Sequence, residues 1–342
     1  MKIDPIVRNL PSSMEYMIVH TGQHYHHIMS RSFFQELELP RPDINLEVGS
    51  ASVTVQTAMI MQRYEKVFLE TEPAAVVVVG DVNSTLACSL VAVRYDVPVI
   101  HVEAGLRSFD RTMPEEINRV LTDQIASLLL ITSSEARDNL LAEGRSSSCI
   151  KLVGNPMIDT LMRLIGKARA QYPPPFSEPY CLVTLHRPSN VDDPDRLREI
   201  LDELASLEGY RVLFPAHPRT LKRIRESGIS VPSGITAGEP LSYLEFIAAE
   251  ASAAAVITDS GGVQEETSVL GVPCVTVRTS TERPVTLELG TNVLCPEVSR
   301  LKEAVEAQMA VRPEQPPEIP MWDGGAGGRI VSAIEEYIGG SR

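Results

Sequence analysis

The sequence contains no apolar run approaching the roughly 18 residues that a membrane-spanning helix requires, so no such span is expected. No block of consecutive Lys and Arg is longer than a few residues, and the formal net charge is −14. A nucleic-acid-binding face needs clustered basic charge, so nucleic acid is not expected as a partner. Cysteine is sparse: Cys88, Cys149, Cys181, Cys274 and Cys295 are odd in number, widely spaced and form no CxxC. They read as reduced core thiols of a cytoplasmic protein. Neither GxGxxG nor GxxxxGK[ST] occurs, which disfavours a dehydrogenase or a P-loop NTPase, and no GxSxG elbow is present. The opening MKIDPIVRNL lacks an apolar h-region and does not read as a secretory signal.

Two domains are expected from 342 residues, at roughly 100–200 residues per domain. Short β-branched runs alternate with helical periodicity almost throughout. Strands are expected at 14–20, 74–80, 97–102, 127–132 and 149–154. After the Pro-rich stretch QYPPPFSEPY (171–180) they resume at 181–186, 211–217, 254–260, 272–278 and 292–295. Helical spacing lies between them, at 52–70, 115–126, 134–143, 195–207, 241–251 and 299–309. Alternation of continuous apolar strands with helices means α/β domains with parallel sheets covered on both faces. The expected division is 1–165 with the tail 325–342, and 166–324, each Rossmann-like and doubly wound. The tail GGAGGRIVSAIEEYI (324–338) reads as a glycine linker and an amphipathic helix.

Ligands of such folds sit beyond the carboxyl ends of the strands. The polar clusters HTGQHYHH, GDVNST, HVEAG, LHRPSN, AHPRT, TDSGGVQEE and VRTSTERP all follow strands, so a shared interdomain cleft is expected. In TDSGGVQEE (258–266), Gly261 and Gly262 leave backbone N–H groups uncovered at a helix start, where the helix dipole favours a diphosphate. Ser260 can cap that helix or bind phosphate, and Glu266 can accept hydrogen bonds from a ribose diol. Arg283 would neutralise a leaving group. His186 and His217 follow strands and could hold phosphate or a sugar hydroxyl. No third His or Cys completes a zinc set with them, and the four His of HTGQHYHH (20–27) have no carboxylate or Cys nearby, so no metal is expected. Asp81 is the first side chain past one apolar strand and Glu103 ends the next. Neighbouring like charges push pKa values apart, as proton-transfer pairs require. Asn83 or Ser84 reads as the cap of the helix after Asp81. Glu115 and Glu116 open a helix after Pro114, a good first-turn residue. Arg107, Asp110, Arg111, Glu116 and Arg119 read as loop ion pairs and a solvated helix face.

As an ordered set, TGQH (21–24), GDVNST, HVEAGLRS…PEEINR, VGNPMIDTL (153–161), LVTLHRP, DSGGVQEE and TERP resemble the non-hydrolysing UDP-N-acetylglucosamine 2-epimerases over nearly the whole chain. The resemblance implies a GT-B-like pair of domains, a homodimer, a UDP-sugar substrate and no added cofactor. It implies elimination of UDP across C1–C2 and re-addition, with carboxylates at Asp81, Glu103 and Glu115 and a histidine at His186. It implies a UDP site at Ser260, Gly261, Gly262, Glu266 and Arg283, joined by Lys2 and Arg187. Gln23 and His217 match positions that hold a second, activating substrate in bacterial members. Those members often carry a second Arg after His-Arg, where Pro188 stands here. The family opens on an apolar strand ending in GTRPE before an IKxxP helix. MKIDPIV matches only the helix, so a first sheet without that strand is expected.

Overall fold

Val, Ile and Leu runs are stable in a parallel sheet because helices can cover both of its faces. The computed structural model describes residues 1–22 and 38–340, in two compact units: 1–160 with 320–342, and 161–319.

In the first unit a parallel pair is formed by β1 (Val19–His20) and β2 (Ile44–Asn45). A parallel four-stranded sheet runs β3 (Val76–Val79), β4 (Val99–Val102), β5 (Leu128–Ile131), β6 (Ile150–Leu152), in that spatial order. Alternation sorts the side chains, as a period of two requires. Val99, Leu129 and Ile131 face the helices Val53–Thr71, Asn83–Arg94 and Glu135–Ala142, with Ile60, Phe68, Val91 and Leu140. Ile100, Val102, Leu128 and Leu130 face Ile6 and the tail residues Ile330, Val331 and Ile334.

Two expectations change here. The run 14–20 pairs only at Val19–His20, because its partner is two residues long; Tyr16 and Met17 are exposed. Of the tail glycines, only Gly324 and Gly325 precede the helix. Gly327 and Gly328 lie inside the helix Ala326–Gly340, where a Cβ on Gly327 would collide with the Pro5 carbonyl. Asp159 accepts from the Ala326 and Gly327 N–H groups, at 3.2 and 2.7 Å, and so caps that helix.

The second unit has one parallel sheet of six strands. In chain order they are β7 (Tyr180–Thr184), β8 (Arg211–Pro215), β9 (Ile235–Gly238), β10 (Ala255–Thr258), β11 (Cys274–Thr276) and β12 (Asn292–Leu294). Their spatial order is β12-β11-β10-β7-β8-β9, so the topology reverses between β7 and β10. That reversal point is where open α/β sheets bind ligands. The strand β9, sequence ITAG, escaped the sequence reading because it has no apolar run. Among the described residues no helix is long and apolar enough to cross a membrane.

Candidate active site

Asp81 and Glu103 follow the adjacent strands β3 and β4, which pair at Val79 and Val102. Each chain segment turns sharply as it leaves its strand. Gly80 has φ +74°, which glycine adopts without strain, and Glu103 has φ +68°, which a glutamate does not. Glu103 is 2% exposed. One of its oxygens, Oε2, lies 2.6 Å from the Lys2 ammonium; the other, Oε1, is buried without a hydrogen-bond partner. Asp81 pairs through Oδ2 with the Arg119 guanidinium. Asn118 donates to the Asp81 carbonyl at 2.9 Å. The two carboxylates therefore stand beside separate cations, rather than as an isolated pair of like charges.

Under this rim lies a buried charge network. His101, on β4, takes a core position and is fully buried. Its Nδ1 is 2.7 Å from Asp123 Oδ1 and its Nε2 is 2.9 Å from the Gly80 carbonyl oxygen. Both partners only accept, so both ring nitrogens donate and the ring is an imidazolium. Burial pushes its pKa down, but the adjacent Asp123 outweighs that and holds it above the usual value. Burial likewise pushes Asp123 up, and His101 and Arg107 overcome it and hold it low. Asp123 Oδ2 also accepts from the Gly105 N–H at 3.0 Å and from Arg107 Nη2 at 2.7 Å. Arg107 forks onto Glu143 at 2.8 and 2.7 Å. Gly105 is locked from both sides, since Asn139 donates to its carbonyl at 2.9 Å.

Glu116 is not on a solvated face. It is 2% exposed, and it accepts from the Ser108 and Phe109 N–H groups at 3.0 and 2.9 Å and from Arg119 Nη2 at 2.7 Å. Arg119 is 1% exposed and Arg107 is buried. The expected solvated face thus fails for Glu116 and Arg119, because charge pairing makes their burial tolerable, while Arg107 makes the expected loop ion pairs but is buried. Glu115, in the first helical turn, is exposed. Nor does Asn83 or Ser84 cap the next helix; Val82 holds the cap position and Asn83 instead donates to Gln56 Oε1 at 2.7 Å.

In the second unit His186 follows β7, and Asp259 and Ser260 follow β10, on either side of the reversal point. The fully buried Asp259 accepts from the His186 and Arg187 N–H groups, at 3.1 and 2.9 Å, and from Asn190 Nδ2 at 3.0 Å. Its Oδ1 also lies 2.9 Å from His186 Nδ1, while the imidazole is about half exposed. Arg187 Nε donates to the Asp259 carbonyl at 2.9 Å. Burial pushes Asp259 up, but the His186 hydrogen bond and charge hold it below the usual carboxylate range.

Ser260 is the N-cap residue of the helix Gly261–Leu270, and its hydroxyl makes no capping bond. Arg283 is buried, with Nε 2.6 Å from Glu265 and Nη1 2.5 Å from Glu282. A Cβ on Gly261 would fall 2.5 Å from Arg283 Nη1, so the guanidinium lies against the helix start. Arg278 pairs with Glu282 at 2.8 Å, and its Nη1 is buried without a partner. Glu266 accepts from the Tyr243 hydroxyl at 2.7 Å, and burial pushes its pKa up to about 8. Behind it Glu250 is fully buried with neither carboxyl oxygen bonded; burial, with the Glu266 charge adding, pushes it well above the usual value. His217 caps the helix Pro218–Glu226, its Nδ1 accepting from the Arg219 N–H at 3.2 Å. Gln23 and three of the four His of the 20–27 stretch lie outside the described residues.

The sequence reading missed Asp259, His101, Asp123 and the pairing of Arg119 with Asp81. Asp259 and His101 had a signal: each is a lone polar residue at or inside the end of an apolar strand.

Residues 8–335 match the family model described as UDP-N-acetylglucosamine 2-epimerase. The chain is similar to the UDP-N-acetylglucosamine 2-epimerase of Methanocaldococcus jannaschii, 42% identical over 97% of this chain and 95% of that one. The crystal structure of the M. jannaschii UDP-GlcNAc 2-epimerase in complex with UDP-GlcNAc and UDP superimposes with a TM-score of 0.90, at 41% identity, covering 97% of this chain and 95% of that one. A UDP-2,3-diacetamido-2,3-dideoxy-D-glucuronate 2-epimerase of Pseudomonas aeruginosa is 40% identical over 82% of this chain and 80% of its own length.

Proposed function

The chain belongs to the UDP-N-acetylglucosamine 2-epimerase family, and on that premise we propose that it interconverts UDP-N-acetylglucosamine and UDP-N-acetylmannosamine. The observation that carries the chemistry is Glu103: a buried carboxylate in a strained backbone turn, with one oxygen on Lys2 and the other unpartnered. Backbone strain of this kind persists where the surrounding structure enforces it, and it gathers at functional sites.

C2 of the sugar bears an acetamido group and no carbonyl neighbour, so its proton is not acidic enough for direct removal. Cleavage of the C1–O bond develops positive charge at C1 and acidifies C2–H. A carboxylate takes the C2 proton, the C2–H electron pair becomes the C1=C2 bond, and the C1–O pair leaves with UDP. The products are 2-acetamidoglucal and UDP. A proton then returns to the opposite face of C2 and UDP re-adds at C1. Asp81, Glu103 and Glu115 supply the proton transfers. His186, oriented by Asp259 through Nδ1, offers its other nitrogen to the departing diphosphate. The helix start at Ser260, Gly261 and Gly262, with Arg283, takes up the charge that develops on UDP, and Lys2 and Arg187 add to it. Glu266 accepts from the ribose hydroxyls. His217 and Gln23 are assigned to a second, activating substrate molecule. The protein is read as a cytoplasmic homodimer: all five thiols are free, as in a reducing compartment, and the helix Pro114–Ile125 exposes Ile117 and Leu121 one turn apart.

A second reading is favoured by the P. aeruginosa relative: epimerisation of a UDP-2,3-diacetamido uronate. The test is incubation of each UDP-sugar in deuterated water with C2 followed by NMR. Deuterium at C2 together with a UDP-ManNAc signal is the expected outcome. Exchange on the diacetamido uronate alone favours the second reading, free ManNAc a hydrolysing enzyme, and UDP binding without exchange an inactive binder. Asp81→Asn, Glu103→Gln and Glu115→Gln should each lower turnover by about 10²-fold or more with UDP affinity retained. An unchanged rate removes that residue from the chemistry.

A further inference from the structure

Between Asp81 and Glu103, below the rim of the first sheet, one residue touches both strands yet cannot reach a substrate. His101 is fully buried, and both ring nitrogens are occupied. We propose that His101 is a positioning residue of the proton-transfer site: its Nε2–H holds the Gly80 carbonyl, fixing the turn from which Asp81 projects against the strand from which Glu103 projects. The role as stated rests on the epimerase reading above.

Three observations converge on that turn. Gly80 is in the left-handed region, where it has no side chain of its own to anchor it. Its N–H already donates to the Val102 carbonyl at 3.0 Å, so the His101 bond to its carbonyl at 2.9 Å clamps the same residue from the other side. A Cβ at Gly80 would lie 3.5 Å from the Lys2 ammonium and 3.8 Å from Glu103 Oε2, so a shift of this turn is a shift against both groups.

His101 is in turn held in place. Asp123 binds its other nitrogen, and the Gly105 N–H and Arg107 bind Asp123, with Glu143 behind Arg107. A neutral core residue at position 101 would pack as well against the sheet. It would leave the Gly80 carbonyl unpaired, and it would leave Asp123 with two partners in place of three. The network spends buried charge where apolar packing would suffice, and its end point is a single backbone oxygen next to the two carboxylates. Misplacing a reacting group by about 1 Å costs on the order of 10²-fold in rate, so the clamp has a kinetic consequence.

Two near-isosteric variants separate the two ends of the imidazole. His101→Asn places an amide N–H near the Nδ1 position and keeps the Asp123 bond while losing the one to Gly80. His101→Gln reaches the Nε2 position and keeps the Gly80 bond while losing the one to Asp123. H101N is expected to lower kcat on UDP-GlcNAc by about 10²-fold with KM and the Kd for UDP within about twofold, whereas H101Q keeps kcat within about tenfold of the parent. Native-state hydrogen exchange in the peptide 80–85 is expected to speed up by about tenfold in H101N and by less in H101Q. Equal kcat in H101N and the parent overturns the proposal, and so does an H101Q that is as slow as H101N. If the parent protein exchanges no C2 proton at all, the epimerase reading falls on its own. The hydrogen-exchange comparison then decides the clamp, and unaltered exchange in H101N overturns it.

Discussion

Glu250 is the most exacting test of how this fold treats charge. It sits on the helix Tyr243–Ser252 with no exposed surface, and neither of its carboxyl oxygens has a hydrogen-bond partner. Glu266, whose pKa burial raises to about 8, is the neighbouring carboxyl whose charge also acts on it. A carboxyl raised in the folded state is protonated there and ionised in the unfolded chain. The folded protein then binds more protons, and stability falls as pH rises. The stabilisation is complete below the ordinary glutamate value of about 4.5 and is lost as pH climbs toward the folded values. Each such group removes about 1.4 kcal/mol per pH unit across that window. Glu250 therefore removes stability as pH rises above about 5, against a total of only about 5–15 kcal/mol typical of a domain. Glu250→Leu deletes this group together with its unmade hydrogen bonds, and Glu250→Gln deletes the titration but keeps the polar shape. The assay is urea unfolding at about pH 5, 6, 7 and 8, with free energies from linear extrapolation. The Leu variant should gain on the parent steadily as pH rises, by at most about 1.4 kcal/mol per pH unit, and the remaining slope belongs to Glu266. The Gln variant should share the shallower slope at lower absolute stability, since its amide stays unpaired. Parallel curves for the parent and both variants would refute the reasoning.

Asp259→Asn offers one acceptor and one donor to a position now surrounded by donors, so it should misorient His186. Turnover is expected to fall by about 10²–10⁴-fold with UDP affinity held within a few-fold by calorimetry, and full activity would show that Asp259 only packs. Gly261→Ala puts a Cβ 2.5 Å from Arg283 Nη1 and 2.6 Å from Glu282 Oε1. The displaced guanidinium should weaken UDP binding by roughly tenfold to a hundredfold, and an unchanged Kd would remove Arg283 from the diphosphate site. Asp123→Ala strands the buried His101 cation and leaves Arg107 with Glu143 alone, and should destabilise the protein by about 3–5 kcal/mol; a thermal midpoint matching the parent would contradict the buried network.

The parallel sheets were legible because most of their strands are runs of Val, Ile and Leu. VVVV, VIHV, LLLI and AVIT announce themselves. The strand ITAG did not, since a Thr-Ala-Gly segment at the edge of its sheet carries no hydrophobic signal. The tail glycines misled for a related reason. Gly327 reads as a linker because glycine weakens helices, yet here it permits the close approach of the Pro5 backbone, and that contact exists only in three dimensions.

The site divides along the same line. Asp81, Glu103, His186 and Ser260 were legible because they are the first polar residues past apolar strands, and strand ends are where α/β folds place chemistry. What no spacing rule could supply is the pairing of charges across 16 to 38 positions of sequence: Arg107 with Asp123, His101 with Asp123, Arg119 with Asp81. In HVEAGLRSFDRTMPEEINR, Arg107, Glu116 and Arg119 read as loop ion pairs and a solvated helix face. Buried, they have a different meaning. Arg119 and Glu116 tie the loop after Gly105 to the carboxylate of Asp81, and Arg107 and Asp123 tie Gly105 to His101. A buried ion is tolerated only when its partners are complete, so each of these charges fixes the next. The network ends on a backbone oxygen at Gly80 and a carboxylate at Asp81, beside Glu103, whose Oε1 is buried without a hydrogen-bond partner.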